Sequence, residues 1–283
     1  MRPPSLDRFA PIGLEELVAE SALLTRVDRK YVVPLAEASM LLERLNDGMR
    51  VLELGGLRDF AYESIYFDTP DLLSFRMAAQ PRRRRFKLRT RTYLDTQASF
   101  LEVKTRGARS ATVKDRIPYE LSVRDRLTGD ARDYAADALA AIGVEPRRAS
   151  GLGATMTTRY RRATLVTADG SARATVDTGL RWDDASGATL SLPALAIIET
   201  KSGARASEVD RVLWRAGHRP ATVSKYATGL AALHPDLPRN RWSRLLRGPF
   251  SDAAASTPPA STAHPTSLHQ PAPHPEESSC VAV

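Results

Sequence analysis

The stretch from Arg82 to Lys104, RRRRFKLRTRTYLDTQASFLEVK, limits the fold of this chain more than any other part of it. Arg85, Lys87, Arg89 and Arg91 alternate with Phe86, Leu88 and Thr90, and a period of two places the four cations on one side of a β-strand. After a short polar turn the chain returns as Phe100-Leu101-Glu102-Val103-Lys104, with Glu102 and Lys104 on one face and Leu101 and Val103 on the other. The spacing predicts a hairpin with one charged and one apolar face. A charged strand face ordinarily meets water. Here the same spacing recurs in Lys114 and Arg116, Tyr160 and Arg162, Arg173 and Asp177, and Glu199 and Lys201, each in a segment with an apolar opposite face. If helices cover the apolar faces, the charged faces look into one cavity. Same-face residues roughly 6.7 Å apart along a strand would then form rows able to hold several phosphates in line. The pattern alone admits both the solvated face and the cavity.

Around this hairpin the chain alternates helical and extended periodicities. Apolar spacing predicts helices over 14–24, 35–45, 72–77, 130–142 and 206–216, the fourth closed by Gly143. Strands are expected at 26–33, at the end of 57–68, at 111–120, and at 156–168, 172–178 and 194–201, with Asp169-Gly170 turning between two of them. Residues 147–155 read as a loop, and no internal repeat is evident. From about Pro249 onward the chain is Ala, Ser, Thr, Pro and His with little to bury. The expected organisation is one domain over 1–248 and a disordered tail over 249–283, in which His264, His269 and His274 recur every five residues.

The formal net charge is +8, and no Lys or Arg occurs beyond residue 250, so the basic excess belongs to the folded part. Such a domain suits a polyanion: nucleic acid, a phosphate ester or an anionic membrane. Aromatic residues do not alternate with the basic ones as a base-stacking platform requires, which argues against nucleic acid. Cys280 is the only cysteine, so no disulfide framework and no cysteine-based zinc site is available within the chain, in keeping with a reducing compartment. No apolar run approaches the roughly 20 residues of a membrane span, and MRPPSLDRFAPIGLEELV lacks the apolar core of a signal peptide. A cytoplasmic protein without a membrane segment is expected.

The familiar catalytic motifs are missing. Gly151-Leu152-Gly153 lacks the third glycine of a dinucleotide fingerprint, and there is no Walker loop, zinc-protease helix or Gly-x-Ser-x-Gly elbow. Glu102 and Glu199 each share a strand face with a lysine. A carboxylate beside a phosphate track is repulsive unless a divalent cation lies between, so both are candidate metal ligands; the other reading is that they neutralise neighbouring lysines. Ser224-Lys225 precedes YATGLAAL, where a helix start would direct free N–H groups and a lysine at an anion. Serine is equally the commonest plain N-cap.

Taken together, these residues resemble the VTC domain, the polyphosphate-polymerase domain within the triphosphate tunnel metalloenzyme (CYTH-like) superfamily. The carrying segments are Asp28-Arg29-Lys30-Tyr31, Ser64-Ile65-Tyr66-Phe67-Asp68-Thr69, Lys87 to Tyr93, Glu102-Val103-Lys104-Thr105, Val113-Lys114-Asp115-Arg116, Tyr160-Arg161-Arg162, Ile198-Glu199-Thr200-Lys201 and Ser224-Lys225-Tyr226, in family order across roughly residues 20 to 235. The resemblance implies an α+β fold: a closed eight-stranded antiparallel β-barrel tunnel with helices packed outside. It implies a polymerase moving the γ-phosphoryl group of ATP onto polyphosphate. Lys30, Arg89, Arg91 and Lys225 would be catalytic, and Lys104, Lys114, Tyr160, Arg162, Arg173, Lys201 and Ser224 would hold the substrate. Glu199 and Glu102 would bind a divalent metal, Mn²⁺ or Mg²⁺. Hydrolases of the superfamily open with Glu-x-Glu-x-Lys, whereas Arg26, Asp28 and Lys30 stand at those places here, a departure toward the polymerase branch. A triphosphatase, or a non-catalytic polyphosphate- or nucleotide-binding protein, is the alternative. No sensor domain or membrane segment accompanies the domain in this sequence, so a membrane or regulatory partner and product export are not implied.

Overall fold

The computed structural model describes residues 5–20, 27–80, 82–107, 112–251 and 254–256. Arg26, Cys280, the three tail histidines and nearly all of the expected disordered tail fall outside the described residues.

The strands are β1 (Ala10–Ile12), β2 (Val27–Pro34), β3 (Arg50–Leu52), β4 (Asp59–Asp68), β5 (Arg85–Tyr93), β6 (Ala98–Arg106), β7 (Thr112–Pro118), β8 (Gly153–Val166), β9 (Ala172–Asp184), β10 (Thr189–Leu192), β11 (Leu195–Ser202) and β12 (Ala254–Ser256). The helices are α1 (Leu14–Glu20), α2 (Leu35–Glu43), α3 (Leu73–Ala79), α4 (Gly129–Ala140), α5 (Glu208–Arg215), α6 (Lys225–Leu233) and α7 (Ser243–Leu246). The period-two reading of the basic hairpin holds residue by residue: Phe86, Leu88, Thr90 and Thr92 are buried on β5, and Arg85, Lys87, Arg89 and Arg91 are half-exposed between them. Local chemistry sets the helix ends. The Thr128 hydroxyl accepts from Ala131 N at the start of α4, and Ser207 with Asp210 closes a reciprocal capping box on α5.

Eight antiparallel strands follow one another in the order β2-β11-β9-β8-β4-β5-β6-β7. Directly paired residues share a face, so the register alone puts Lys30, Glu199, Thr175, Arg162, Asp177, Tyr62, Tyr66, Arg89, Glu102, Lys104 and Lys114 on one continuous side. That side is concave: Lys104 on β6 feels the charges of Lys30 and Asp28 on β2 and of Glu199 on β11, at the far end of the strand order.

The expected closed eight-stranded barrel does not form. β2 and β7 end the row as edges, and among the described residues neither pairs with the other, so the sheet is curled but open. Like charge gives a physical reason. Lys30 on β2 and Lys114 on β7 both already crowd Lys104, and joining the edges would press these cations together in a poorly solvated space. β7 is exposed along almost its whole length and ends at Pro118, which has no N–H to give a partner strand.

Helices cover the convex side. Leu35, Ala38, Leu41 and Leu42 of α2 and Val209 and Leu213 of α5 pack on Tyr31, Val33, Ala174, Val176, Ala196 and Ile198. Ala131, Ala135 and Leu139 of α4 pack on Phe86, Leu88, Leu101 and Val103. The expectation that all helices lie outside fails for α6. Tyr226, Ala227 and Leu230 cluster with Tyr66, Met156 and Trp182, whose side chains belong to the concave face, so α6 fills one end of the concavity. A Cβ on Gly229 would lie 2.4 Å from Trp182 Cδ1; the bare glycine lets α6 sit directly on that indole. Beyond α6, Trp242, Leu245 and Phe250 join the same core, and β12 pairs with β10. No helix among the described residues is long and apolar enough to cross a membrane.

The Gly229–Trp182 contact yields a stability prediction. Gly229→Ala should forfeit its usual helix-propensity gain and destabilise the domain by about 1–3 kcal/mol through overpacking. A thermal midpoint equal to or above that of the parent protein would show that Trp182 moves aside.

Candidate functional site

Opposing charges on the concave face are interleaved. Glu199 on β11 accepts from Lys30 Nζ at 2.9 Å and lies 3.0 Å from Lys201 Nζ, one lysine to each carboxylate oxygen. Burial alone would raise its pKa; the Lys30 and Lys201 ammonium groups overcome that and hold it far below the ordinary carboxylate range. Glu102 on β6 accepts from Arg89 Nε at 2.9 Å and Nη2 at 2.7 Å, with Arg91 Nη1 3.5 Å from its other oxygen. Asp177 on β9 is 1 % exposed and accepts from Arg162 Nε at 2.6 Å and Nη2 at 2.8 Å, and from Lys225 Nζ at the start of α6. Burial pushes Asp177 up, but the Arg162 and Lys225 charges prevail and bring its pKa to about 2. It therefore stays anionic throughout the neutral range.

Aromatic rings support the cations from below. Tyr62 and Tyr160 stack at 5.3 Å, and the Arg162 guanidinium lies 5.3 Å from each ring centre. Lys225 Nζ sits 4.2 Å from the centre of Tyr160, so it is the ring of Tyr160 that meets the neighbouring cations. Arg89 and Lys87 lie over Tyr66, whose hydroxyl accepts from Arg89 Nη1 at 3.1 Å. Ser224 is an N-cap in fact, accepting from Ala227 N at 3.2 Å, and it also accepts from Lys87 Nζ at 2.9 Å across the concavity. The capping reading of this serine is thus seen directly, and its hydroxyl also faces the concavity.

Every residue singled out from the sequence as a site candidate therefore lies on the concave face or at the α6 start that enters it. Lys114 stands beside Lys104 in the register, and Arg173 beside Lys201. Glu102 and Glu199 contact different cations, and no group of three or more acids, histidines or cysteines among the described residues is placed to hold a metal. Glu199 and Glu102 each offer a single carboxylate, and Mg²⁺ is commonly held by one carboxylate together with non-protein oxygens and water, so the residues present fit such an ion. Several residues of the face escaped the sequence-derived site set. Lys87 and Arg116 were legible in the alternation but carried no assigned role, and the part of Asp177 as counter-charge to two cations depends on α6 folding inward, which no local pattern announces.

Five of the six buried side-chain polar atoms that lack a hydrogen-bond partner among the described residues lie on this face: Ser64 Oγ, Arg91 Nε, Arg106 Nε, Thr158 Oγ1 and Thr175 Oγ1. Each can donate a hydrogen bond. Buried donors without a protein partner are costly until an acceptor meets them, and a group rich in acceptors can satisfy several at once. Crowding also changes proton affinity. Burial, then the neighbouring Lys114 and Lys30 charges, lower Lys104 to about 8, and burial with Arg89, Lys30 and Lys104 lowers Lys87 well below the ordinary lysine value.

In comparisons with known proteins, the profile of the VTC domain matches residues 25–234. No curated protein matches the chain. Among solved structures, a Hippeastrum protein, described as an adenylyl cyclase candidate with a dominant triphosphatase activity, is similar at 16% identity, over 76% of this chain and 99% of that one, with a TM-score of 0.44. A Vibrio parahaemolyticus adenylate cyclase candidate is 15% identical over 68% of this chain and 87% of its own, at a TM-score of 0.37. A conserved hypothetical protein of Pyrococcus furiosus is 13% identical over 68% and 88%, at 0.34.

If the concave face binds an anion, the lowered proton affinity of Lys104 makes that binding pH-dependent. Lys104 is protonated below about 8 and loses its charge above it, so affinity for tripolyphosphate should fall as pH rises through that value. Lys104→Arg, charged throughout, should move the fall to higher pH. Titration calorimetry from pH 6.5 to 9.5 measures this, and a profile unchanged in Lys104→Arg would remove Lys104 from the binding equilibrium.

Proposed function

Since the chain belongs to the VTC domain family, of the CYTH-like triphosphate tunnel superfamily, we propose that its concave face binds the linear phosphate chain of a triphosphate and catalyses transfer of the terminal phosphoryl group. The observation that carries this reading is the row of orphaned buried donors, Ser64, Thr158, Thr175, Arg91 and Arg106, set among paired lysines and arginines. A phosphate chain offers acceptor oxygens along its whole length, which a single carboxylate or a small neutral metabolite does not.

Phosphoryl transfer asks the protein for position and charge more than for covalent chemistry. An acceptor oxygen attacks the terminal phosphorus, the bond to the bridging oxygen breaks, and the electron pair leaves with the diphosphate. Arg89 and Arg162 are each held through two guanidinium nitrogens by Glu102 and Asp177, with Arg91 at 3.5 Å from Glu102, so little reorganisation is needed as charge moves to the bridging oxygen. Lys30, Lys201 and Lys225 add ammonium charges, and Ser224 with the α6 start adds backbone N–H groups. A divalent ion carried in with the triphosphate would add charge neutralisation on its non-bridging oxygens, with Glu199 as its protein ligand. With water as acceptor the reaction is that of a triphosphatase: the water oxygen becomes part of the released phosphate and its proton passes to solvent.

A second reading, polymerisation onto a phosphate chain, is favoured by one feature. The cations of β5 run from Arg91 to Arg85, roughly 20 Å along the strand, and Lys104, Lys114 and Arg106 extend the basic rows on the neighbouring strands. That is more track than a triphosphate requires.

Phosphorus NMR of the protein with ATP or tripolyphosphate and Mg²⁺ or Mn²⁺ decides between the acceptors. Free phosphate with diphosphate-type products marks hydrolysis, and growth of internal-chain signals with ADP marks the polymerase; an unchanged spectrum in all four mixtures would refute turnover of these substrates. Glu199→Gln should lower turnover by at least about tenfold, as losses at metal-supporting positions commonly do. An undiminished rate would exclude the carboxylate from the reaction.

A further inference from the structure

The concave face uses only part of the arginine run that opens the basic hairpin. Arg85 begins β5, whereas Arg82, Arg83 and Arg84 precede the strand and are exposed. Together with Arg76 of α3 they rim a hollow of about 610 Å³ floored by Leu73 and Met77. Those two side chains are half-buried and pack on the convex-side core with Phe86 and Leu88, so the hollow lies outside the concave face. No acid among the described residues lines it. Three of the arginines bond neutral groups: Arg76 Nε donates to Asp71 O at 2.7 Å, Arg82 Nη2 to Gln80 Oε1 at 3.2 Å and Arg84 Nη1 to Gly143 O at 3.3 Å. Asp71 and Glu145, acids close to these groups in the chain, are already engaged by Arg148 and Arg147.

A guanidinium rim over an aliphatic floor fits an acidic segment that carries an apolar side chain. A phosphate chain offers nothing to the floor, no aromatic ring lines it for a base to stack on, and a bilayer would meet the rim without reaching the recessed side chains. A complementary surface stands on the same chain. The α1 sequence, LEELVAE, contains glutamates and no basic residue. Its Leu17 is buried, and Glu16 accepts from Arg50 Nη1 at 2.5 Å, which fixes the helix against the domain. Leu14 and Val18, one turn apart, are thereby turned outward at 49% and 61% exposure, with Glu15 exposed beside them. Being exposed, this face does not cover the hollow of its own chain. We propose that α1 of one copy docks in the arginine-rimmed hollow of another, with Leu14 and Val18 against Leu73 and Met77 and Glu15 among the guanidiniums. The mode is that of a helix laid in a groove. Because the two surfaces differ, the contact runs head to tail and joins successive copies. It stands independently of the phosphoryl-transfer reading.

Sedimentation velocity of the full chain over a range of concentrations tests this, and the parent protein should associate as concentration rises. One double variant, Leu14→Ser with Val18→Ser, removes the apolar anchor; another, Arg82→Glu with Arg83→Glu, reverses the rim. All four positions are exposed, circular dichroism checks that each variant is folded, and each should weaken association by at least about tenfold. Mixed in equal amounts, the two variants retain one intact α1 and one intact hollow between them, so they should restore a complex that stops at two copies. A parent protein that stays monomeric at every concentration would overturn the contact and leave the hollow to an acidic segment of another protein. Folded variants that associate as the parent does, or a mixture that stays monomeric or grows beyond two copies, would overturn it equally.

Discussion

The concave face depends on internal neutralisation of like charge. Lys30, Lys87, Arg89, Arg91, Lys104, Lys114, Arg162, Arg173, Lys201 and Lys225 converge there, and a ligand-free chain could not fold them together without fixed anions. Glu102, Asp177 and Glu199 serve that need, each contacting two basic side chains. Their pairing is geometric as well as electrostatic, because the Arg162–Asp177 and Arg89–Glu102 contacts fix the planes of guanidiniums that would otherwise sample many rotamers. At Lys87 and Lys104, which no acid pairs directly, burial first and neighbouring cations second lower the proton affinity. The open seam between β2 and β7 is a further expression of the same constraint.

α6 joins the core to the site. Its buried side chains press on Trp182, Tyr66 and Met156, and its first residues place Ser224 opposite Lys87 and Lys225 beside Asp177. The packing at Gly229 and the indole bond from Trp182 Nε1 to Lys225 O at 2.7 Å set the height of the helix, hence the reach of the Lys225 ammonium. A second buried contact tightens this. The Tyr226 hydroxyl donates to Asp68 Oδ2 at 2.6 Å, and Asp68 also accepts from the backbone N–H groups of Thr69, Ser74 and Phe75 at the start of α3. Loss of packing at this end of the sheet would therefore be felt at the charged groups.

Much of this was legible because period-two alternation is a local property. Arg85 to Arg91 and Glu102 to Lys104 declared which face each residue would occupy, and strand pairing then joined those faces without further information. The helices α2, α4 and α5 were legible for the same reason, each having an apolar stripe of its own. Sequence could not say whether the curled sheet closes, because closure depends on repulsion between strands that lie at opposite ends of the strand order. Nor could it place α6, whose apolar content fits either side of the sheet; what puts it inside is Trp182, on another element, with Gly229 shaped to receive it. The role of Asp177 followed from that placement and was hidden with it.

The carboxylates that let the face fold also shape how it binds. On the proposed reading, a phosphate chain would meet Lys30, Lys201, Arg89, Arg91, Arg162 and Lys225 already engaged by acids, so each contact there would exchange one anion for another. The net gain per contact is smaller than the bare charges suggest, and affinity must come from the number of phosphates engaged together. Fixed, singly charged Glu102, Asp177 and Glu199 cannot follow a flexible multivalent chain, whereas orphaned donors such as Thr158, Thr175 and Arg91 Nε gain only when acceptors reach them. On the proposed reading, selectivity for length would follow from the same neutralisation: short anions would compete poorly with the resident acids, and long ones would compete at many places at once.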